Sequence, residues 1–282
     1  MINALSIDLE DWHHPELLRG HVPGDPQRQV GDSTDRILRL LERFNVKATF
    51  FVLGNVAAED PELVRRIHGK GHEIASHGMS HKPLQKLSPT EFDDELKSFD
   101  RLIRDILGDD VPIRGFRAPT FSLNNMTNYA LACLAENRYL YDSSIFPASN
   151  YLYGVNDAPC SIYRPDFKDL RRTDESSPIV EFPLTVYQLG RARIPVSGGF
   201  YLRVMPYPLI RRFLREINRT RPFVLYFHPW EAFPGTPRVK NIGLKNAFIT
   251  YYGIDGCLGK IEMLLQEFAF EPMWNVVQRH AG

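Results

Sequence analysis

The stretch KATFFVLGNVAAEDPELVRRIHGKGHEIASH, residues 47–77, reads as strand, helix, strand. KATFFVLG is a short apolar run with aromatic and β-branched residues, the make-up of a buried strand. PELVRRIHGKG follows as a helix, with Pro61 in the first turn and Gly69 or Gly71 at its end. HEIASH is the next strand. Two strands joined through a helix predict parallel pairing, since antiparallel neighbours need only a tight turn.

The same alternation runs outward in both directions. ALSIDL reads as the first strand, and STDRILRLLERF as a helix with Ile37, Leu38, Leu41 and Phe44 on one face and Asp32 or Ser33 as N-cap. SPTEFDDELKSFDRLIRDILG is a helix opened by a capping box at Ser88 and Glu91 and stopped by Gly108. Strands PIRGFRAP, YLYDSS, IVEFPLTV and PFVLYFHPW then alternate with helices NNMTNYALACLAEN and YPLIRRFLREINR, and a helix near GCLGKIEMLLQEFAF closes the chain. Seven strands in this order predict an α/β fold, a distorted (β/α)7 barrel. No glycine-rich phosphate loop favours an open doubly wound sheet. The expected organisation is one domain over 1–282: a core of about 4–230, a lid-like insertion at 145–178, and an extension at 231–282 packing on the barrel.

Composition narrows the class. The 282 residues are 43% hydrophobic and 24% charged, with 34 Lys+Arg against 34 Asp+Glu. The basic residues are scattered, which argues against a nucleic-acid partner or a polybasic anchor. No window approaches the apolar length of a membrane span. Cys133, Cys160 and Cys257 are odd in number and lack paired spacing, so a reducing, cytoplasmic setting is expected.

The polar residues ending the strands are Asp8 with Glu10 and Asp11, Asn55, His77 with His81, Arg117, Asp142 and His228. In an α/β barrel these carboxyl ends share one face, so the residues are expected to converge on one cleft. His77 and His81, four apart, would present both imidazoles to one metal ion on a helical turn, with a carboxylate as third ligand. Alternatively, His77 caps the strand and His81 is a solvated turn residue. Strand alternation puts Asp8 and Glu10 on the same face and Asp11 opposite or in the loop. Arg117 could hold one carboxylate as a fixed partner. His228 is either a satisfied core residue or an acid, with Asp142 as a carboxylate able to raise its pKa.

SIDLED, SHGMSH, RGFRAP, YDSS and LYFH resemble, in order, the five motifs of the polysaccharide deacetylases of carbohydrate esterase family four, which carry a NodB homology domain. FFVLGNVA, SGGFYLR and HPWE are similar to the branch associated with exopolysaccharide and surface-glycan biosynthesis. The resemblance implies a NodB-like barrel that removes acetyl from an N-acetylated amino sugar of a glycan or its precursor, releasing acetate. It implies one divalent metal on His77, His81 and either Glu10 or Asp11, zinc foremost, with cobalt, nickel or manganese as alternatives. It makes Asp8 the general base, Arg117 its orienting partner, the Thr120 backbone N–H an oxyanion donor, His228 the general acid and Asp142 its tuner.

Trp12, Gly199 and Tyr201 are candidate substrate contacts, as are Tyr151, Tyr153, Tyr163 and Arg164 of the insertion. Other readings are a metal-dependent hydrolase of a small cyclic or linear amide, allantoinase-like; a silent glycan-binding protein; and a metal-free glycosidase using two carboxylates. The oligomeric state is unknown at this level.

Overall fold

The computed structural model describes residues 1–18, 20–22, 24–148 and 153–280. Its centre is a parallel sheet whose strands are β1 (Ile2–Leu9), β2 (Thr49–Val52), β3 (Glu73–Ser76), β4 (Gly115–Phe116), β5 (Tyr141–Asp142), β8 (Val180–Glu181) and β11 (Val224–Phe227). They lie in the order β11-β1-β2-β3-β4-β5-β8, and β12 (Ala269–Glu271) pairs with the first residues of β1. Two antiparallel hairpins stand apart from the sheet, β6 (Pro165–Asp166) with β7 (Asp169–Thr173), and β9 (Val186–Leu189) with β10 (Ala192–Pro195). β1, β2 and β11 are nearly continuous runs of buried residues, as expected of strands covered on both faces.

The curled sheet does not close: β8 and β11 share no ladder. Thr185 bridges the seam, its hydroxyl accepting from the Val224 N–H at 2.8 Å and donating to the Val224 carbonyl at 3.0 Å. One side chain there satisfies two backbone groups that a neighbouring strand would otherwise pair. This is the distorted (β/α)7 barrel expected from the alternation.

Helices α1 (Val30–Arg43), α2 (Gly54–Glu59), α3 (Pro61–Gly69), α4 (Pro89–Leu107), α5 (Tyr129–Glu136), α6 (Gly199–Val204), α7 (Tyr207–Ile217), α8 (Leu244–Tyr251), α9 (Ile254–Glu267) and α10 (Met273–His280) complete the chain. The Ser88/Glu91 capping box opens α4. Neither Asp32 nor Ser33 caps α1, which starts earlier, at Val30. Its cap comes from the end of β1: Asp11 Oδ2 accepts from the Gln29 and Val30 N–H groups at 3.0 and 3.1 Å. The chain does not close on α9, because β12 returns to the sheet and α10 packs against β1.

Candidate active site

The carboxyl ends of the strands open into a cavity of about 260 Å³. Asp8 and Glu10 reach it from β1, two positions apart on one face. His77 and His81 enter from the loop after β3, but not on a helical turn. The loop coils through Gly78 (φ 74°) and His81 (φ 56°), and this left-handed backbone turns the second imidazole back toward the first. The Nε2 atoms of both rings lie 2.9 Å from Glu10 Oε1.

The chemistry of that trio is distinctive. His77 Nδ1 lies 2.8 Å from the Arg117 carbonyl, an acceptor only, so Nδ1 donates there and Nε2 is the ring nitrogen turned toward Glu10. With Nδ1 so engaged, Nε2 is the atom His77 would offer to a cation held together with Glu10. Burial raises the Glu10 pKa, but His81, His228 and the two imidazole contacts outweigh it and hold the carboxyl well below its usual range. Glu10, His77 and His81 are all buried, and their ligand atoms lie within 4.8 Å of one another, so the donor set fits a divalent cation.

Glu10 and Asp11 thus separate. Asp11 spends its carboxylate on α1 and, through Oδ1, on the Trp12 N–H at 2.8 Å, so it serves as a cap and stands outside the Glu10–His77–His81 group. His14 lies close by, its ring 6.0 Å from that of His81. Burial, against the pull of Glu10, pushes it down to about 3, so it stays neutral while its Nδ1 accepts from the Asp11 N–H.

Arg117 is fully buried, and its guanidinium is consumed internally. It bonds the Asp8 Oδ1 at 2.5 Å, the Ser6 hydroxyl, and both the carbonyl and hydroxyl of Ser143, and it stacks 4.0 Å from the Phe51 ring centroid. Its side chain therefore fixes Asp8 while its carbonyl fixes His77. The second Asp8 oxygen lies 3.9 Å from His228 Nε2.

The expected partner of His228 is corrected. Asp142 bonds Ser144 and pairs with Glu181 below the site, and burial raises both carboxyls, Glu181 more strongly. His228 Nδ1 instead meets Glu231 at 2.7 Å, and Glu231 also accepts from the His228 N–H. Glu231 is anchored by Arg203 at 2.9 Å. Burial opposes charge on both partners. Even so, Glu10, Glu231 and Asp8 lift His228 to about 9, while Arg203 and His228 hold Glu231 at about 2. The signal for Glu231 was the three-residue spacing within HPWE, which a turn folds into contact.

Gly199 and Tyr201 line the cavity, with Phe200 between them. A Cβ on Gly199 would overlap the Glu231 carboxylate, so glycine is required there for close approach. Thr120 also lines the cavity, in left-handed backbone (φ 56°), and among the described residues nothing accepts from its N–H. Trp12 does not reach the cavity: it is buried with Leu18, Trp230 and Tyr251, its indole N–H bonded to the Gln27 carbonyl. Asn55 is exposed. Of the insertion, Tyr153 lines the cavity, whereas Tyr163 and Arg164 bond the Leu170 and Ser177 carbonyls within the insertion itself. Tyr151 lies outside the described residues. Ile249 and Thr250 of α8 also reach the cavity, a contribution from the C-terminal region that no motif announced.

Residues 25–136 match the polysaccharide deacetylase family. The chain carries a polysaccharide deacetylase domain. Residues 143–278 match a domain of unknown function, DUF3473, and it is this part that supplies Arg203, His228 and Glu231 to the cavity. A chitooligosaccharide deacetylase of Bradyrhizobium sp. (strain ANU 289) is 42% identical over 86 residues, 30% of this chain and 39% of that protein. The match thus spans well under two thirds of that relative. Among solved structures, a "probable polysaccharide deacetylase" of Pseudomonas aeruginosa PAO1 superposes with TM-score 0.62 at 16% identity, covering all of this chain and 92% of the other. The PuuE allantoinase superposes with TM-score 0.61 at 14% identity, again over all of this chain and 91% of the other. These two likenesses bear on the fold alone.

Proposed function

We propose that the protein is a metal-dependent N-deacetylase acting on an N-acetylated amino sugar of a glycan or glycan precursor. The observation that carries this reading is the convergence of His77 Nε2 and His81 Nε2 on Glu10 Oε1, beside an Asp8 held by Arg117. Glu10, His77 and His81 would hold the cation, zinc foremost, with cobalt, nickel or manganese as alternatives. Such a cation supplies Lewis-acid polarisation of the acetyl carbonyl and lowers the pKa of the attacking water.

The chain's own groups do the rest. Asp8 takes a proton from the attacking water, its carboxylate kept in place by Arg117. The Thr120 N–H donates to the oxygen that gains charge as the acetyl carbon becomes tetrahedral. His228, protonated and oriented by Glu231, gives its proton to the nitrogen as the C–N bond breaks, leaving acetate and a free amine. The fold does not choose between an amino-sugar amide and a cyclic ureide, since deacetylase and allantoinase superpose equally well. The relative at 42% identity supports the sugar.

The test is metal content paired with acetate release from N-acetylated oligosaccharides, before and after chelation and zinc add-back. About one metal per chain with chelator-sensitive release is expected. Turnover of cyclic ureides in place of sugars would move the protein to the amide-hydrolase reading, and release unaffected by a chelator that strips the metal would sink the mechanism.

A further inference from the structure

Helix α8 carries an exposed apolar stripe. Leu244, Phe248 and Tyr252 follow each other at four-residue spacing, at its first residue, within it and just past its end, and are 93%, 47% and 50% exposed. Helical spacing of this kind normally marks a face turned to the core, but here it faces outward. The stripe is continuous with the catalytic cavity: the Phe248 ring packs 4.8 Å from that of Tyr252 and 6.5 Å from that of Phe200, which lines the cavity. Ile249 and Thr250, on another side of the same helix, line the cavity directly.

The sequence carrying the stripe is basic. Residues 232–254 contain Arg238, Lys240 and Lys245 and no Asp or Glu, in a chain whose overall charge balances to zero. Apolar side chains at the tip of an exposed helix, flanked by cations, match what an anionic bilayer binds: the apolar groups enter the headgroup boundary and the cations meet lipid phosphates. No helix among the described residues is long and apolar enough to cross a membrane. The surface is therefore suited to lying on a bilayer.

The geometry points to the Leu244–Phe248–Tyr252 face of α8, with Arg238, Lys240 and Lys245, as a docking surface for an anionic lipid bilayer beside the mouth of the active site. Docked there, the cavity opens next to glycan carried at the membrane surface. That consequence rests on the N-deacetylase reading, but the docking itself does not.

The experiment is co-sedimentation of the full chain with vesicles of phosphatidylcholine alone and of phosphatidylcholine mixed equally with phosphatidylglycerol. The protein is expected to pellet with the mixed vesicles only, and less so as salt is raised. The double variant Lys240→Gln/Lys245→Gln should partition about twentyfold more weakly, and Leu244→Ser about tenfold more weakly. Both variants should release acetate from a soluble N-acetylated oligosaccharide at the parent rate. Parent protein that stays in the supernatant with both vesicle types, or variants that pellet like the parent, would overturn the proposal. So would self-association that Leu244→Ser abolishes in protein showing no vesicle binding, which would assign the face to a second copy. Vesicle binding without acetate release supports the docking surface while defeating the deacetylase reading, so the two fail separately.

Discussion

The two ends of the barrel hold carboxylates that respond to their surroundings in opposite directions. At the carboxyl end of the strands, Glu10 is buried yet held well below the ordinary range, because three imidazoles surround it. At the amino end, Glu73 accepts from the Thr49 and Tyr141 hydroxyls and the Trp274 N–H, and there burial wins and raises its pKa. Neutral donors at one end form a polar floor that ties β2, β3 and β5 to α10. Cations and potential cations at the other keep charge in a low-dielectric pocket, where it is chemically useful. The difference lies in what faces the carboxylate and not in how deeply it sits.

Removing the charge at the upper end should have the largest effect. Glu10→Gln is expected to lose the metal on dialysis and to lower acetate release by about 10³-fold or more, measured by elemental analysis and initial rates. Retained metal would show that a different carboxylate completes the site. Glu231→Gln should leave metal content intact and lower kcat by about 10²-fold. In the proposed reaction His228 acts as an acid only while protonated, so kcat is expected to fall as pH rises through its pKa, which the surrounding carboxylates hold at about 9. Taking away the Glu231 charge should move that basic limb toward lower pH, and an unmoved limb would remove Glu231 from the role of partner.

Asp11→Ala sharpens the contrast between neighbours on one strand end. Loss of the cap on α1 should cost about 1 to 2 kcal/mol in denaturant unfolding, with metal content unchanged. The smallest effect is expected at the barrel floor. For Glu73 the folded pKa is raised, so the folded state binds the proton more tightly and stability falls as pH rises from the unfolded value through the folded one. Glu73→Gln, neutral throughout, should leave kcat unchanged, leave Tm at neutral pH equal or slightly higher, and flatten the dependence of Tm on pH across the weakly acidic range. A large loss of Tm would mean that the ionised carboxylate is itself part of the floor.

These contrasts were unevenly legible. Asp8 and Glu10 share a face through the two-residue period of a strand, and His77, Arg117 and His228 each follow the end of a strand, so their meeting follows from barrel topology, whereas His81 is brought in by the loop. The assignment of Asp142 to His228 did not survive, because two acidic residues competed for one imidazole and only the turn after β11 brings Glu231 within 2.7 Å. Trp12 is a candidate substrate contact by its place beside the acidic cluster, but the chain turns it inward against Trp230.

By itself the sequence determined the alternation of strands and helices, the face on which the reactive residues stand, and the family, because periodicity and motif order are local and survive without knowledge of distant contacts. Only the tertiary structure decided which carboxylate stands beside the histidines, which one partners His228, and that α8 completes the cavity wall. Those choices depend on loop backbone and on elements distant in sequence, where a difference of a few ångströms decides which of several chemically similar groups makes the contact.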